Sequence, residues 1–473
     1  MIENGNLFAA FMLAIWPVVT LVVFSKLDQQ RAFIWTLLAA YMFLPPATGF
    51  DLPVIPPLTK DTIPPIMALL TVFFAHGKRI ALLPDSLIGK VLIFLFILSP
   101  IETVIGNSDP IGVAMGVTLP GLRLYDLLSI CMSQVIILIP FVMARSILGD
   151  ENGMRAILKA LVVAGLIYSL PMLYESRMSP QLNTMIYGYF QHEFAQAIRF
   201  GGFRPFVFMP HGLWVAFFAF MAVAAAAALL RTAVAGERAR AMMVLGYLCI
   251  MLVLCRSFGP LGYGLVIVPM ILFAPPRLQL MAAIGMVAVV IGYPLLRGSN
   301  VVPVEQLIQW ASALDPDRGQ SLAFRLMNEE LFLMKTALKP WFGWGTFGRN
   351  FLYDPMTGQP SVIADGGWIL TLGLFGWVGY VAEFGLLILP IVALWRAGSK
   401  SGRLSQSATA VAMILAANLF DLLPNDTQIP FTWLMAGAIL GFAERTAAGK
   451  LPIEAENDEN IPPFERKKKR TIL

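Results

Sequence analysis

The chain has 473 residues, of which 58% are hydrophobic and 13% are charged, and its formal net charge is +5. Soluble domains carry about 25% charged residues, so this composition argues against a soluble globular enzyme. Three cysteines and three histidines lack the spacing of a disulfide framework or a metal site, and no ATPase-type phosphate loop is present. We therefore expect no metal and no cofactor.

Apolar runs recur along the chain at lengths that suit a bilayer, which needs about 20 apolar residues per helix. They predict an all-α, polytopic integral membrane protein with about 12–13 transmembrane helices. The predicted spans are 7–25, 32–50, 63–75, 87–105, 124–144, 156–174, 207–230, 241–255, 257–275, 278–296, 366–392, 407–424 and 429–443. The first of them is interpreted as a retained span, since no signal-peptide cleavage site follows it.

Lysine and arginine are unevenly divided between the alternate loops. About two thirds of the 34 basic residues fall on one side, including the run 466–470 near the end of the chain. Basic loops face the cytoplasm, so this side is predicted to be cytoplasmic. The other side keeps twelve basic residues, nine of them arginines.

Two long loops are predicted on that outer side, at 175–204 and 297–365. Within the second, 302–314 and 321–339 have apolar residues on one helical face, which predicts amphipathic helices on the membrane surface. Residues 1–473 are interpreted as a single transmembrane domain, and 444–473 as a basic cytoplasmic tail.

The first candidate motif, 199–212, brings Arg199, Arg204 and His211 to the start of a span, with glycines and prolines around them. The planar guanidinium suits phosphate oxygens, and glycine lets a ligand approach the backbone. Contact with lipid headgroups is the alternative interpretation.

The second motif, 255–260, is a tight turn between two spans and contains Arg256. An arginine between hydrophobic helices is costly unless it is paired or faces a ligand. A simple turn broken by glycine and proline remains the alternative.

The third motif joins Arg325 on the second amphipathic helix to 339–349, where glycines and aromatic residues alternate before Arg349. This pattern fits a phosphate or a sugar face, or equally an interfacial aromatic loop. The fourth motif places Asp365 before a span. It is interpreted either as a helix cap or as a base for an attacking hydroxyl.

Taken in order over about 199–392, these motifs resemble the bacterial O-antigen ligase and polymerase family. The resemblance rests on Arg199, Gly202 and Pro210, then on Arg256, Ser257, Gly259 and Pro260. It continues with Arg325, Pro340, Gly343 and Gly345, and ends with Asp365, Gly376 and Gly379. Ligases usually carry His and Asn at the last position, so Asp365 favours the polymerase branch.

The resemblance implies a metal-independent glycosyltransferase that polymerises repeat units of an exopolysaccharide, capsule or O-antigen. The glycan would pass from undecaprenyl diphosphate to an acceptor hydroxyl at the periplasmic face of the inner membrane. We predict diphosphate binding by Arg199, Arg204, Arg256, Arg325 and Arg349, and activation of the hydroxyl by Asp365 or His211.

An O-antigen ligase, a transporter or flippase of lipid-linked sugars, and a non-catalytic partner of an export complex are the alternatives. The expected partners are undecaprenyl-diphosphate-linked glycans, the lipid bilayer, a chain-length regulator and export proteins. No nucleic-acid partner is expected, and the C-terminus is predicted to be cytoplasmic.

Overall fold

The computed structural model describes residues 2–3, 5–52, 55–76, 80–114, 116–199, 201–299, 303–314, 316–362, 364–401 and 404–450. Within them the chain is mostly helical. Its α-helices are α1 (Leu7–Lys26), α2 (Gln29–Phe43), α3 (Ile63–His76), α4 (Leu87–Ile105), α5 (Leu124–Ile147), α6 (Glu151–Met178), α7 (Leu182–Tyr187), α8 (Gly212–Arg231), α9 (Arg238–Leu254), α10 (Phe258–Phe273), α11 (Pro276–Gly298), α12 (Val304–Leu314), α13 (Pro316–Ala337), α14 (Gly367–Ser401), α15 (Gln406–Asp421) and α16 (Pro430–Ala447).

Seven helices in the described part of the chain are long and apolar enough to cross a membrane, and they are α1, α4, α5, α6, α8, α11 and α14. The prediction of a helical, polytopic membrane protein is confirmed at this level. Each of the thirteen predicted spans coincides with a helix, and the six outside this set have 18 residues or fewer. The predicted tail beyond residue 450 lies outside the described residues.

Successive helices run between two ends of the bundle. At one end, the buried guanidinium of Arg145 at the end of α5 pairs with Asp85 at 2.8 Å and with Glu444 of α16 at 2.5 Å. α16 packs closely on α5, because methyl groups on Gly437 and Gly441 would lie 2.0 and 2.1 Å from carbonyl oxygens of α5. This is the small-residue packing typical of membrane helices. The opposite end, where α8, α10 and α14 begin, is called the arginine end below.

α14 is a broken helix, although the sequence predicts an uninterrupted span over 366–392. Gly376 adopts φ 64° and ψ −166°, a conformation that is essentially restricted to glycine. The segment 340–345 lies in the break. Its carbonyls at Pro340 and Trp341 accept hydrogen bonds from the N–H groups of Trp377 and Val378 at 2.8 and 3.1 Å.

The same segment also donates to the first half of α14. The N–H groups of Trp344 and Gly345 donate to the carbonyls of Gly373 and Leu374, both at 2.9 Å. Backbone groups freed by a break at membrane depth must find partners within the protein. Backbone groups of the third motif therefore satisfy the broken helix, and the N–H groups of Trp344 and Gly345 are not free for a phosphate.

Three small antiparallel strand pairs in the described part of the chain, two of them hairpins, depart from the all-α prediction. They pair β1 (Ile2–Glu3) with β2 (Gly49–Phe50), β3 (Ile111–Ala114) with β4 (Val117–Leu119), and β5 (Ile198–Arg199) with β6 (Gly202–Phe203). β1 precedes α1 and the other five strands lie in connections between helices, where backbone groups need partners that no helix supplies. Strands of two to four residues leave almost no periodic signal in the sequence.

The two long predicted loops contain helices. The loop at 175–204 holds the end of α6, the short α7 and the β5–β6 hairpin. The loop at 297–365 holds α12 and α13, which confirms the two amphipathic helices. The helix of the predicted span 207–230 begins later than predicted, since α8 starts at Gly212 and the five residues before it are irregular.

Candidate functional site

The irregular segment 204–211 is fixed by buried charged side chains. The carboxylate of Glu175, which is 1% exposed, accepts hydrogen bonds from the N–H groups of Phe206 and Val207 at 2.8 and 2.7 Å. The ammonium of Lys60 donates to the backbone carbonyl of Phe208, the next residue of the segment, at 3.1 Å. Val207 has φ 52°, which a β-branched residue adopts only when its surroundings enforce it. This support fixes the backbone in the second half of the first motif.

Two glycines of the first motif let arginine side chains lie against the backbone. A methyl group on Gly212 would lie 2.2 Å from Cδ of Arg204, and one on Gly202 would lie 2.3 Å from Nη2 of Arg256. Any larger residue would displace these arginines. The glycines thus admit the protein's own guanidinium groups, where the sequence predicts that they admit a ligand.

Arg204 is a buried cation without an acidic partner. It is 6% exposed, and its Nη2 donates to the hydroxyl of Ser257 at 3.1 Å. Its Nε is buried without a partner, and no carboxylate of the described residues lies within 4.0 Å of it. Burial, together with the nearby charges of Arg199 and Arg325, lowers the pKa of Arg204 to about 10. Such a group is costly to bury unless an anion joins it.

Arg256 occupies the turn between α9 and α10, as the second motif predicts. Its φ of 50° is left-handed, and its Nη1 donates to the backbone carbonyl of Arg199 at 2.9 Å. The next residue, Ser257, is 5% exposed and is the hydroxyl that Arg204 contacts. The short turn therefore supplies one guanidinium and supports a second.

Arg325 on α13 and Asp365 before α14 form an ion pair at 3.2 Å, and both side chains are about two fifths exposed. Asp365 does not cap α14: the first N–H groups of the helix, at Gly367 and Trp368, donate to backbone carbonyls of the α15–α16 connection at 3.0 and 3.4 Å. The structure thus brings together four of the predicted arginines, Arg199, Arg204, Arg256 and Arg325, which are called the arginine cluster below.

His211 lies beside the arginine cluster and caps α8. Its Nδ1 accepts a hydrogen bond from the N–H of Leu213 at 3.1 Å, and its Nε2 lies 3.0 Å from Oε1 of Gln196. These contacts assign the ring proton to Nε2. Burial lowers the pKa of His211 to about 3, with further lowering by Arg204. The neutral ring has both nitrogens engaged and offers no free lone pair to a hydroxyl.

Arg349 is not part of the arginine cluster. It is 1% exposed and donates to the backbone carbonyls of Pro120 and Asp109 at 2.6 and 2.9 Å. Its charge lies close enough to Lys335 and Lys339 to lower the pKa of each lysine, after the larger effect of burial. The sequence places Arg349 with the other arginines because order along the chain does not reveal distance.

Two acidic residues that sequence reasoning missed lie at the arginine end. Asp421 is buried and accepts hydrogen bonds from the side chains of Tyr263, Asn425 and Thr427. Asp426 is exposed, and among the described residues its carboxylate has no hydrogen-bonding or ionic partner. Although part of Asp426 reaches the surface, the protein around its carboxyl desolvates it and raises its pKa to about 6. The polar Asn-Asp-Thr run at 425–427, between two predicted spans, is the signal that could have indicated Asp426, whereas Asp421 lies inside the predicted span 407–424.

Asp426 lies next to the start of α14, since its Oδ1 is 2.9 Å from the position that a methyl group on Gly367 would take. Gly367 is two residues beyond Asp365, so both acidic residues lie near the start of α14. Within the described residues, no group of three His, Cys, Asp or Glu side chains is arranged to hold a metal ion.

No protein-family model matches this chain, and no curated protein matches it.

Proposed function

We propose that the protein is a membrane glycosyltransferase that polymerises lipid-linked oligosaccharide repeat units, with undecaprenyl diphosphate as the leaving group. The observation that carries this proposal is Arg204, a buried cation with one hydroxyl partner and a free Nε beside two further arginines. A diphosphate supplies the missing negative charge, and guanidinium groups bind its oxygens in pairs. The resemblance to O-antigen ligases and polymerases supplies the sugar chemistry.

In the proposed reaction, the bond between the donor's anomeric carbon and the diphosphate oxygen breaks, and the acceptor hydroxyl oxygen bonds to that carbon. The hydroxyl proton passes to a carboxylate, and the electron pair of the broken bond stays on the diphosphate. Arg204 and its neighbours stabilise the charge that develops there, which is the role of preorganised donors in a water-poor site.

The proton acceptor is a carboxylate near the start of α14. Asp365 is the residue that the sequence predicts, but its ion pair with Arg325 assigns it to positioning that arginine as well. Asp426 has no partner to lose on protonation. We propose Asp426 as the stronger candidate for the base, with Asp365 as the alternative, and we assign His211 to holding the start of α8.

We place the protein in the bacterial inner membrane with the arginine end facing the periplasm and the C-terminus in the cytoplasm. The predicted division of the basic residues favours this orientation, since the predicted loops with about two thirds of them include the one that follows Arg145. The energy for transfer is stored in the donor, so the reaction needs no ATP on the periplasmic side.

The test is chain extension by the purified protein in detergent, with lipid-linked repeat units as the sole substrate and no membrane gradient. Polymer would support the proposal. A flippase, an ion-coupled transporter or a scaffold would give none, and a ligase would give product only when a lipid A core acceptor is added.

A charge-conserving series tests the role of the arginine cluster in that assay. Arg256→Lys and Arg325→Lys keep the positive charge and lose the planar fork. We expect both variants to make shorter or less polymer, while Arg31→Lys, an exposed pair with Asp28 at the other end, acts as wild type. Full-length polymer from both cluster variants would contradict diphosphate binding by these arginines.

A further inference from the structure

A second group of cations at the arginine end is separate from the arginine cluster. It comprises Lys335 on α13, Lys339 just after α13, and the buried Arg349, and it is called the lysine cluster below. The ammonium groups of Lys335 and Lys339 lie 4.9 and 4.8 Å from the ring centre of Trp344. One indole ring thus attracts two like charges and keeps them near each other.

No member of the lysine cluster forms an ion pair within the described residues, although the carboxylate of Asp109 is close enough to offset part of the lowering of the pKa of Lys339 and of Arg349. Lys335 donates to the carbonyl of Phe351 at 2.5 Å, and Lys339 donates to the carbonyl of Gly106 and to Oδ1 of Asn107. No carboxylate of the described residues lies within 4.0 Å of any of its three cations. An ammonium has three N–H donors, so both lysines keep capacity for another acceptor.

A cation at the end of α11, which pairs with acidic residues of α13, shows the contrast. Arg297 is 4% exposed, and its guanidinium pairs with Glu329 at 2.8 Å and with Glu330 at 2.6 Å on α13. That cation has a structural role that its partners explain. Lys335 lies about one and a half turns beyond Glu330 on α13 and has no acid beside it. Like Arg204, it is a cation without a carboxylate partner.

α13 connects the two clusters. Arg325 and Lys335 are ten residues apart on this helix, which corresponds to about 15 Å along its axis. The proposed reaction joins two lipid-diphosphate-linked glycans, and the acceptor hydroxyl lies at the far end of its repeat unit from its own diphosphate. Two anion sites separated along one helix suit that geometry, since the acceptor glycan spans the distance between them.

We propose that the lysine cluster binds the diphosphate of the acceptor substrate, while the arginine cluster binds that of the donor. This inference rests on the proposed function for its substrates, and it changes the assignment of Arg349, which then supports the acceptor site by holding the backbone at Asp109 and Pro120. The class of ligand is a polyprenyl diphosphate. An anionic phospholipid headgroup presents the same phosphate chemistry, so the test must separate the two.

The test measures how many equivalents of radiolabelled farnesyl diphosphate bind to the full chain in phosphatidylcholine nanodiscs. We expect two for the wild type. Lys335→Gln/Lys339→Gln and Arg204→Gln/Arg325→Gln should each bind one. The matched control Lys26→Gln, an exposed lysine at the other end of the bundle, should bind two. Lys335→Arg/Lys339→Arg keeps both charges and should also bind two, which separates loss of charge from misfolding.

One equivalent in the wild type, or two in the Lys→Gln pair, would overturn the inference. A second equivalent that disappears in phosphatidylglycerol nanodiscs would overturn it too, because a headgroup would then be the natural occupant. In a chain-extension assay that supplies lipid-linked polymer as the donor and single lipid-linked repeat units as the acceptor, the Lys→Gln pair should raise KM for the repeat units about tenfold and leave KM for the polymer unchanged. Two bound diphosphates without any polymer would refute the proposed function and leave the second anion site standing.

Discussion

Replacing Arg204 by methionine tests whether a buried cation is kept for a ligand. Burial lowers the pKa of Arg204 to about 10, and this lowering from the ordinary arginine value corresponds to about 3 kcal/mol of cost for the charged form in the folded state. The cost is present at every pH below about 10. Methionine removes it and adds apolar contact, while the lost hydrogen bond to Ser257 costs about 1.5–3 kcal/mol.

We therefore expect Arg204→Met to be about 1–2 kcal/mol more stable than the wild type. The assay is reversible unfolding in mixed micelles, monitored by far-ultraviolet circular dichroism. Arg297→Met is the matched control, because it leaves Glu329 and Glu330 unpaired and should cost about 3–5 kcal/mol. The opposite signs of these two changes separate a ligand-facing cation from a structural one.

Pyrophosphate gives the second half of the same experiment. At about 100-fold over its Kd, a ligand stabilises each site by about 2.7 kcal/mol. The wild type should gain this contribution from the arginine cluster, and Arg204→Met should lose it. If Arg204→Met is instead less stable than the wild type by 1 kcal/mol or more, Arg204 is a structural cation and the main support for the proposed function is gone.

Three further changes test other parts of the molecule. Gly376→Ala should destabilise the protein by about 3 kcal/mol or more in the same unfolding assay, because a methyl group there would lie 2.3 Å from the carbonyl carbon of Trp341 and the conformation is restricted to glycine. The control is Gly285→Ala, in open space on α11, which should change the free energy of unfolding by no more than about 1 kcal/mol in either direction. Asp426→Asn should lower kcat at least tenfold and leave diphosphate binding unchanged, and wild-type kcat would eliminate it as the base. Diphosphate binding to the lysine cluster should weaken as pH rises through about 8. Burial lowers the pKa of Lys335 to about 8, so in the free site this lysine loses its positive charge above that pH. Equal affinity at pH 7 and pH 9 would contradict this prediction.

The positions of the helices could be predicted from the sequence with little loss. A long apolar run predicts a helix at the same residues, because a membrane helix forms its backbone hydrogen bonds within the segment and needs no partner elsewhere in the sequence. The amphipathic helices α12 and α13 follow from the same local rule, since apolar spacing at 3.6 residues is a property of a short segment. The strand pairs were missed because two to four residues carry no such period.

The candidate site could be predicted only in part. Residue type and neighbouring glycines pointed to Arg199, Arg204, Arg256 and Arg325, which the fold brings together. The sequence could not show that Gly202 and Gly212 make room for the arginines themselves, because a close approach between distant segments leaves no local mark. It placed His211 among the candidate bases because the partners of its two nitrogens depend on tertiary contacts.

The sequence by itself thus determined that the protein is a helical membrane protein, where its helices lie and that arginines accumulate in a few loops, since all of these depend on local composition. Tertiary structure alone decided which charges are paired. Arg297, Arg204 and Lys335 are similar as isolated basic residues, yet the first has two carboxylates and the others have none within 4.0 Å among the described residues. Pairing depends on distances across the bundle. A buried cation without a paired acid keeps the free-energy cost of its burial, so binding an anion stabilises it.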